Sequence, residues 1–470
     1  MEATINTCPN CAILTARISQ LEAELEGLKR MIFGKRSEKL PSVNKELKSK
    51  ADPESAQRNR KKRRAARNEL PETRHEHKVE DSARSCPKCG SCELKKVGEG
   101  KVSTIIELIP ARLERQVHVQ ETLACPCGDY MVTAKGPIRP VEGGHYGAAF
   151  MANIVVGKCI DSMPLYRMEK QLKRAGLSIS RSSLCNLFHQ TAEALSPIYQ
   201  RMLDLMPGYD LILADETPLP ILAENKTHKG YVWAFLNDDY IMYRYSRTRH
   251  GDTASEVLKN STGTLLADGF SGYNDSCSPE GRMRAGCWAH ARRKFFEAKS
   301  TADEAELVLN KIKAIYRVEY AAADQNMQGC EKHLLLRKQR AGPIIKELEK
   351  YLEEQKDLHP PKSPMGKAIT YAQNNWQELT RFLSDAKIPL DNNASERALR
   401  IIALGRKNYL FAGNDEAAQN LAGLYSLVAS CELHNINPET YLKDVLIRVH
   451  THPQNELDDL LPHRWKERFL

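Results

Sequence analysis

The chain has 470 residues, enough for about three domains at about 150 residues each. Its 41% hydrophobic and 27% charged residues are those of an ordinary globular protein. No stretch approaches the ~18 uninterrupted apolar residues of a membrane span, and the opening MEATINTCPNC has no signal-like apolar core, so secretion and membrane insertion are not expected. The thirteen cysteines then read as reduced thiols and metal ligands rather than disulfides.

Apolar residues at Leu14, Ile18, Leu21, Leu25, Leu28 and Ile32 alternate spacings of four and three, ending at Gly34 and Pro41. That is the a/d pattern of a short leucine-zipper-like helix, or of one amphipathic helix packing on its own chain. Residues 42–80 are polar and read as a linker. Within them Ala56–Arg67 carries seven basic residues and no acid, part of a net charge of +9, as in a solvated linker or an arm that touches phosphates.

Two cysteine pairs follow, around strand-like alternation at 102–109 and 116–120. Helical texture begins near Tyr146. Leu165–Ala175 predicts a helix, Gly176 a stop and Ser180 the cap of a second helix to about Leu195, which suits a helix-turn-helix or an ordinary helical hairpin. After Pro207 the period changes. Leu211–Ala214, Tyr231–Leu236, Tyr240–Tyr245 and Thr264–Ala267 are strand candidates, the middle two an antiparallel pair across Asn237–Asp239. From Ala289 to about Leu383 the chain reads as charged helix broken at Pro360-Pro361. Pro438 opens a final amphipathic helix through Val449.

Two carboxylates stand in equivalent places: Asp215 follows Leu211–Ala214, and Asp268 follows Leu265–Ala267. An ionised carboxylate at the end of a buried strand costs free energy unless it is paired or binds metal. Two on adjacent strands can hold a hard divalent cation, and a third from a helix completes a two-metal site for phosphodiester cleavage. The candidate is Glu396, on a helix expected to run to about Leu404 and stop at Gly405. Asn393-Ala-Ser-Glu396 also has the spacing of a capping box, in which Glu396 would bond only to its own helix start. Arg292, Arg293 and Lys294, with Arg397, Arg400, Arg406 and Lys407, are candidate DNA contacts, or the salt-bridged face of a helix. His290 is assigned a supporting role.

Cys86-Pro-Lys-Cys89-Gly90 is a zinc knuckle, and Cys125-Pro-Cys127-Gly128 supplies a second pair. Together they predict a four-cysteine zinc ribbon, with Cys92 or His118 as substitutes for one ligand. Cys8 and Cys11 have no partner pair and are not assigned to zinc.

The strings Leu213-Ala-Asp-Glu-Thr-Pro218, Leu266-Ala-Asp-Gly-Phe-Ser-Gly-Tyr273, Gly286-Cys-Trp-Ala-His-Ala-Arg-Arg-Lys-Phe295 and Asp391-Asn-Asn-Ala-Ser-Glu-Arg-Ala-Leu-Arg400 occur in this order. With Gly405-Arg-Lys-Asn408, Phe411-Ala-Gly413 and Phe33-Gly-Lys-Arg-Ser-Glu38, the chain resembles transposases of the insertion-sequence-66 family nearly end to end. The resemblance implies an α/β multidomain protein. Its catalytic domain would be DDE-type, RNase H-like and built on a mixed sheet with a helical insertion, preceded by an N-terminal helix and a small zinc-ribbon-like domain. Asp215, Asp268 and Glu396 match the family's catalytic carboxylates. The family's zinc motif usually ends in C-x2-C, where this chain has Cys125-x-Cys127.

The implied organisation is a zipper-like helix (1–40), a basic linker (41–80), a zinc-binding domain (81–135) and a helical DNA-binding region (136–207). The catalytic core (208–300 and 386–435) is split by a helical insertion (301–385) and followed by a C-terminal element (436–470). The implied cofactors are Mg²⁺ or Mn²⁺ at the carboxylates and Zn²⁺ at the cysteines. The implied partners are transposon-end DNA, target DNA, a second copy or more of the chain, and accessory transposon proteins, in the bacterial cytoplasm at the nucleoid. A non-catalytic zinc-containing DNA-binding regulator, or a structure-specific RNase H-like nuclease, are the alternatives.

Overall fold

A computed structural model describes residues 113–124, 131–224, 226–278 and 280–470. The zipper-like helix, the basic linker and all four expected zinc cysteines lie outside the described residues. Strands β1 (Thr122–Ala124) and β2 (Met131–Thr133) form a small antiparallel pair. The alternation at 116–120 is not a strand: Val117 and Val119 are exposed, with no described surface to bury an apolar face.

Helices α1 (Ala148–Cys159), α2 (Leu165–Arg174), α3 (Arg181–Ala194) and α4 (Ser196–Leu205) come next. The Ser180 hydroxyl accepts the Ser183 N–H at 3.1 Å, so this serine caps α3 as its position suggested. Buried Met151, Val155, Leu184 and Phe188 join α1 and α3 to the main core.

The centre is a five-stranded sheet. Its strands are β3 (Leu211–Ala223), β4 (Lys226–Leu236), β5 (Ile241–Ser246), β6 (Thr264–Leu266) and β7 (Met283–Ala285), with helix α5 (Asp252–Leu258) between β5 and β6. Their order is β5-β4-β3-β6-β7, antiparallel through β5, β4 and β3 and parallel from β3 to β7. Strand β7 was not expected; three residues with Arg284 in the middle leave no hydrophobic pattern to read.

β3 also runs nine residues beyond the expected end, through Pro218 and Pro220. Proline in a central strand removes a ladder bond and is confined to edges. Here β6 pairs only with Leu211–Leu213, so from Ala214 onward β3 has β4 on one side and an open edge on the other. Groups from the last third of the chain meet that edge. Asn392 Nδ2 donates to the Ala214 carbonyl at 2.7 Å, and Arg406 Nη1 donates to the Pro218 carbonyl and to Thr217 Oγ1. Farther along, Ala412 N donates to the Pro220 carbonyl at 3.0 Å and Leu222 N to the Ala412 carbonyl at 2.9 Å.

The chain between β7 and those groups is helical, as its texture indicated. Helices α6 (Trp288–Ala298), α7 (Glu304–Asp324) and α8 (Glu331–Leu336) lead through a π turn at Arg337–Ala341 into α9 (Gly342–Lys356). At that turn the buried Arg337 guanidinium makes a bidentate pair with Glu319 and donates to the Phe382 and Asp385 carbonyls. After the break at Pro360-Pro361 come α10 (Pro364–Asn374) and α11 (Trp376–Thr380).

Helix α12 (Asn393–Tyr409) carries Glu396 and runs past Gly405 rather than ending there. Gly405 is buried, and a Cβ on it would stand 2.6 Å from the Tyr425 hydroxyl and 2.7 Å from the Tyr409 ring. The residue serves close packing, which a stop signal in sequence cannot be told from.

Helix α13 (Asp415–Leu433) lies on β5, where Ser426 Oγ and Ser430 Oγ accept the N–H groups of Tyr243 and Ile241 at 2.8 and 3.1 Å. The outer edge of the sheet is thereby closed. Helix α14 (Pro438–Arg448) is not the last element: a 3-10 turn and α15 (Pro462–Phe469) follow, with Trp465 buried.

Asn392→Ala removes a fully buried bridge to β3 and strands the Ala214 carbonyl. It is expected to cost about 1–3 kcal/mol, measurable as a fall in the urea midpoint without a change in slope.

Candidate active site

The parallel register pairs Leu213 with Leu266, so Asp215 and Asp268 each follow their paired residue by two. Asp268 lies just beyond β6. Asp215, in contrast, sits inside β3 opposite Ala234, not at a strand end. Both carboxylates are fixed locally. Asp215 Oδ1 accepts the Glu216 N–H at 2.9 Å, and Asp268 Oδ1 accepts the Phe270 N–H at 2.9 Å. The Asp268 turn is held from behind by Arg284, which donates to the Asp268 and Phe270 carbonyls and, at 2.8 Å, to Asn274 Oδ1.

Glu396 enters from α12. The N-cap of that helix is Asn392 rather than Asn393, and no side chain closes a capping box. Glu396 Oε1 is instead a buried atom without a hydrogen-bond partner, 3.8 Å from His290 Nε2 and 3.6 Å from Arg293 Nη2. Asn392 sets the helix start. Its amide bonds β3, its Oδ1 accepts the Ser395 hydroxyl at 2.7 Å, and its backbone N–H meets Cys287 Sγ at 3.2 Å. Burial pushes the Cys287 thiol up to about 12, so it stays protonated there.

The other two carboxylates act on Asp215. The Asp215 carboxyl is raised to about 7, first by burial, then by the negative charge of Glu216, with Asp268 and Glu396 adding to it. Their ligand atoms are not drawn together, however. Among the described residues, three His, Cys, Asp or Glu ligand atoms lie within 4.8 Å of one another only at His452, Glu456 and Asp459, where Arg468 already pairs with Asp459 at 3.0 Å. Oxygen-rich groups that repel one another and include an unpartnered buried oxygen suit a hard divalent cation, which would remove the repulsion.

The expected DNA contacts fall into two sets. Arg397, Arg400 and Lys407 are exposed on α12. Arg406 is spent on β3, Lys294 lies 4.8 Å over the Tyr371 ring, Arg292 5.9 Å from the Phe296 ring, and Arg293 faces Glu396. Sequence reasoning passed over Asn392, Arg284, Tyr273 and Arg249. Asn392 and Tyr273 lie inside quoted motifs, but nothing in spacing alone marks a buried asparagine as a bridge between distant segments.

Comparison with known proteins gives the family. The family model described as "Transposase IS66 family" matches residues 143–420, and "IS66 C-terminal element" matches 426–463. "Zinc-finger binding domain of transposase IS66" matches 83–128, a span that contains Cys86, Cys89, Cys92, Cys125 and Cys127. Among similar proteins of Sinorhizobium fredii (strain NBRC 101917 / NGR234), uncharacterized protein y4jD is 30% identical over 96% of both chains. Uncharacterized protein y4qI is 28% identical over 96% of this chain and 89% of its own. The chain belongs to the IS66 family of transposases.

Proposed function

We propose that this transposase is a DDE-type enzyme that cuts the transposon end to free a 3′-hydroxyl and joins that hydroxyl to target DNA, with Asp215, Asp268 and Glu396 as its catalytic carboxylates. The observation that carries this reading is that three separate elements deliver Asp215, Asp268 and Glu396 near enough for the last two to act on Asp215. The strand order, three antiparallel followed by two parallel, supports an RNase H-like reading of the catalytic domain. The carboxylates would hold two Mg²⁺ or Mn²⁺ ions, which supply activation of the attacking oxygen and stabilisation of the leaving one.

The chain's own residues do the rest. The Glu216 and Phe270 N–H groups aim Asp215 and Asp268, while Asn392 and Arg406 set the pitch and reach of the helix that presents Glu396. His290 Nε2 and Arg293 Nη2, 3.8 and 3.6 Å from Glu396 Oε1, orient that side chain. Arg397, Arg400 and Lys407, with Arg292, grip DNA phosphates, which positions the duplex without reading it. Helices α2 and α3 and the zinc-finger domain, with Cys86, Cys89, Cys125 and Cys127 as Zn²⁺ ligands, hold the transposon end. The zipper-like helix pairs two copies of the chain so that two ends are joined together.

Labelled transposon-end DNA with Mg²⁺ tests the chemistry. Asp268→Asn is expected to abolish cleavage and joining while end-binding survives; equal activity in both proteins removes the site assignment, and lost binding makes Asp268 structural. Cys86→Ser should release zinc and weaken end-binding in a mobility-shift assay; unchanged zinc content excludes Cys86 as a ligand.

In EDTA-treated protein, Asp215 binds its proton more tightly folded than unfolded. Its ionisation therefore destabilises the fold increasingly from about pH 4 to about pH 7, the window between the ordinary value of 3.8 and the raised one. Asp215→Asn should raise the Tm at pH 8, and the gain should fade as the pH approaches 4.

A further inference from the structure

The residue after Asp215 is also a carboxylate, and it is placed quite differently. The Glu216 side chain is 1% exposed. Its Oε2 accepts the Tyr273 hydroxyl at 2.7 Å, and its Oε1 accepts Nε of Arg249 at 2.8 Å together with Nη2 of the same guanidinium. Arg249 lies 4.0 Å over the Phe270 ring, yet its side chain is 46% exposed. The loop bearing it is pressed onto the turn after Asp268: a Cβ on Gly251 would meet the Gly272 carbonyl oxygen at 2.3 Å. The Arg249 charge is influenced by Asp268 as well as by Glu216.

Burying a carboxylate against a half-exposed arginine is a poor way to stabilise a fold, because the desolvation cost offsets the attraction. It is a good way to hold a guanidinium still. Other cations near the centre are committed elsewhere: Arg284 to backbone carbonyls, Arg406 to β3, Arg293 toward Glu396. No described residue accepts a hydrogen bond from Arg249 Nη1.

We propose that Arg249 binds a non-bridging oxygen of the phosphodiester at the catalytic carboxylates, and that buried Glu216 is its positioning residue. The inference rests on the proposed catalytic reading and adds the phosphate-binding group to it. A planar fork fixed on one edge by a carboxylate and on one face by an aromatic ring keeps its remaining N–H groups for a phosphate oxygen. Tyr273 completes the cradle by orienting Glu216.

The test uses the full chain, labelled transposon-end duplex and Mg²⁺ under single-turnover conditions, with Asp268→Asn as reference. Arg249→Ala is expected to slow cleavage about 100-fold, as loss of a charge-stabilising donor does, and Arg249→Lys about tenfold, because a point charge lacks the fork. Glu216→Gln should also slow cleavage. The double variant E216Q/R249A should be no slower than R249A, since Glu216 acts through Arg249. That double variant also removes the buried charge that R249A strands, so it remains a folded comparison. Mn²⁺ affinity, read by electron paramagnetic resonance, and end-binding should stay within about threefold in every Arg249 and Glu216 variant.

Unchanged cleavage in R249A, additive losses in the double variant, or Mn²⁺ affinity lost along with cleavage would each overturn the proposal. Wild-type cleavage that Asp268→Asn does not affect would overturn the catalytic reading beneath it instead.

Discussion

The open edge of β3 is the constraint on which the rest of the architecture turns. A strand that loses one neighbour after three paired residues must find other partners for its backbone groups. In this chain each partner does a second job. The Ala214 carbonyl is taken by the asparagine that starts the Glu396 helix. The Glu216 N–H is taken by the Asp215 carboxylate itself. The Pro218 carbonyl is taken by an arginine from the same helix, about four turns further on. Satisfying the edge and bringing the Glu396 helix to the strand that carries Asp215 are one event.

That anchoring bears on the electrostatics. α12 is anchored to β3 near both ends, so Glu396 cannot retreat far from Asp215 even though like charges oppose the approach. The helix is held by hydrogen bonds to neutral backbone, whose strength does not depend on the charge state of the site. On its other side Glu396 Oε1 lies 3.8 Å from His290 Nε2 and 3.6 Å from Arg293 Nη2. Glu216 gives a contrast within one residue. It is ion-paired with its own arginine and accepts a tyrosine hydroxyl, whereas Asp215 beside it accepts a backbone N–H.

Much of this was legible in sequence where the signal is local. Ser180 as a cap, the β4–β5 pair across Asn237–Asp239 and the helical stretch after Ala289 follow from propensity and period. The equivalence of Asp215 and Asp268 followed from the apolar runs before them, and the register agrees. What stayed hidden depends on partners far along the chain. The strand expected over Leu211–Ala214 continues through Pro218 and Pro220, because the absence of β6 beside them is not written nearby. Gly405 looked like a stop because Tyr425 cannot be foreseen. The capping-box spacing at Asn393–Glu396 was genuine, but the helix begins one residue earlier, on an asparagine whose side chain is occupied by β3.

The two prolines also bear on how the molecule is made. While the chain emerges from the ribosome, β3 and β4 can pair long before residues 392–412 exist, leaving a bare strand edge of the sort that recruits strands from other molecules. Without N–H groups at 218 and 220 that edge offers acceptors but few donors, so a foreign strand cannot zip along it. Glu396 arrives late on the helix that finally covers the edge. A prematurely terminated chain would therefore carry Asp215 on an edge that resists aggregation, without the helix that brings Glu396 to it.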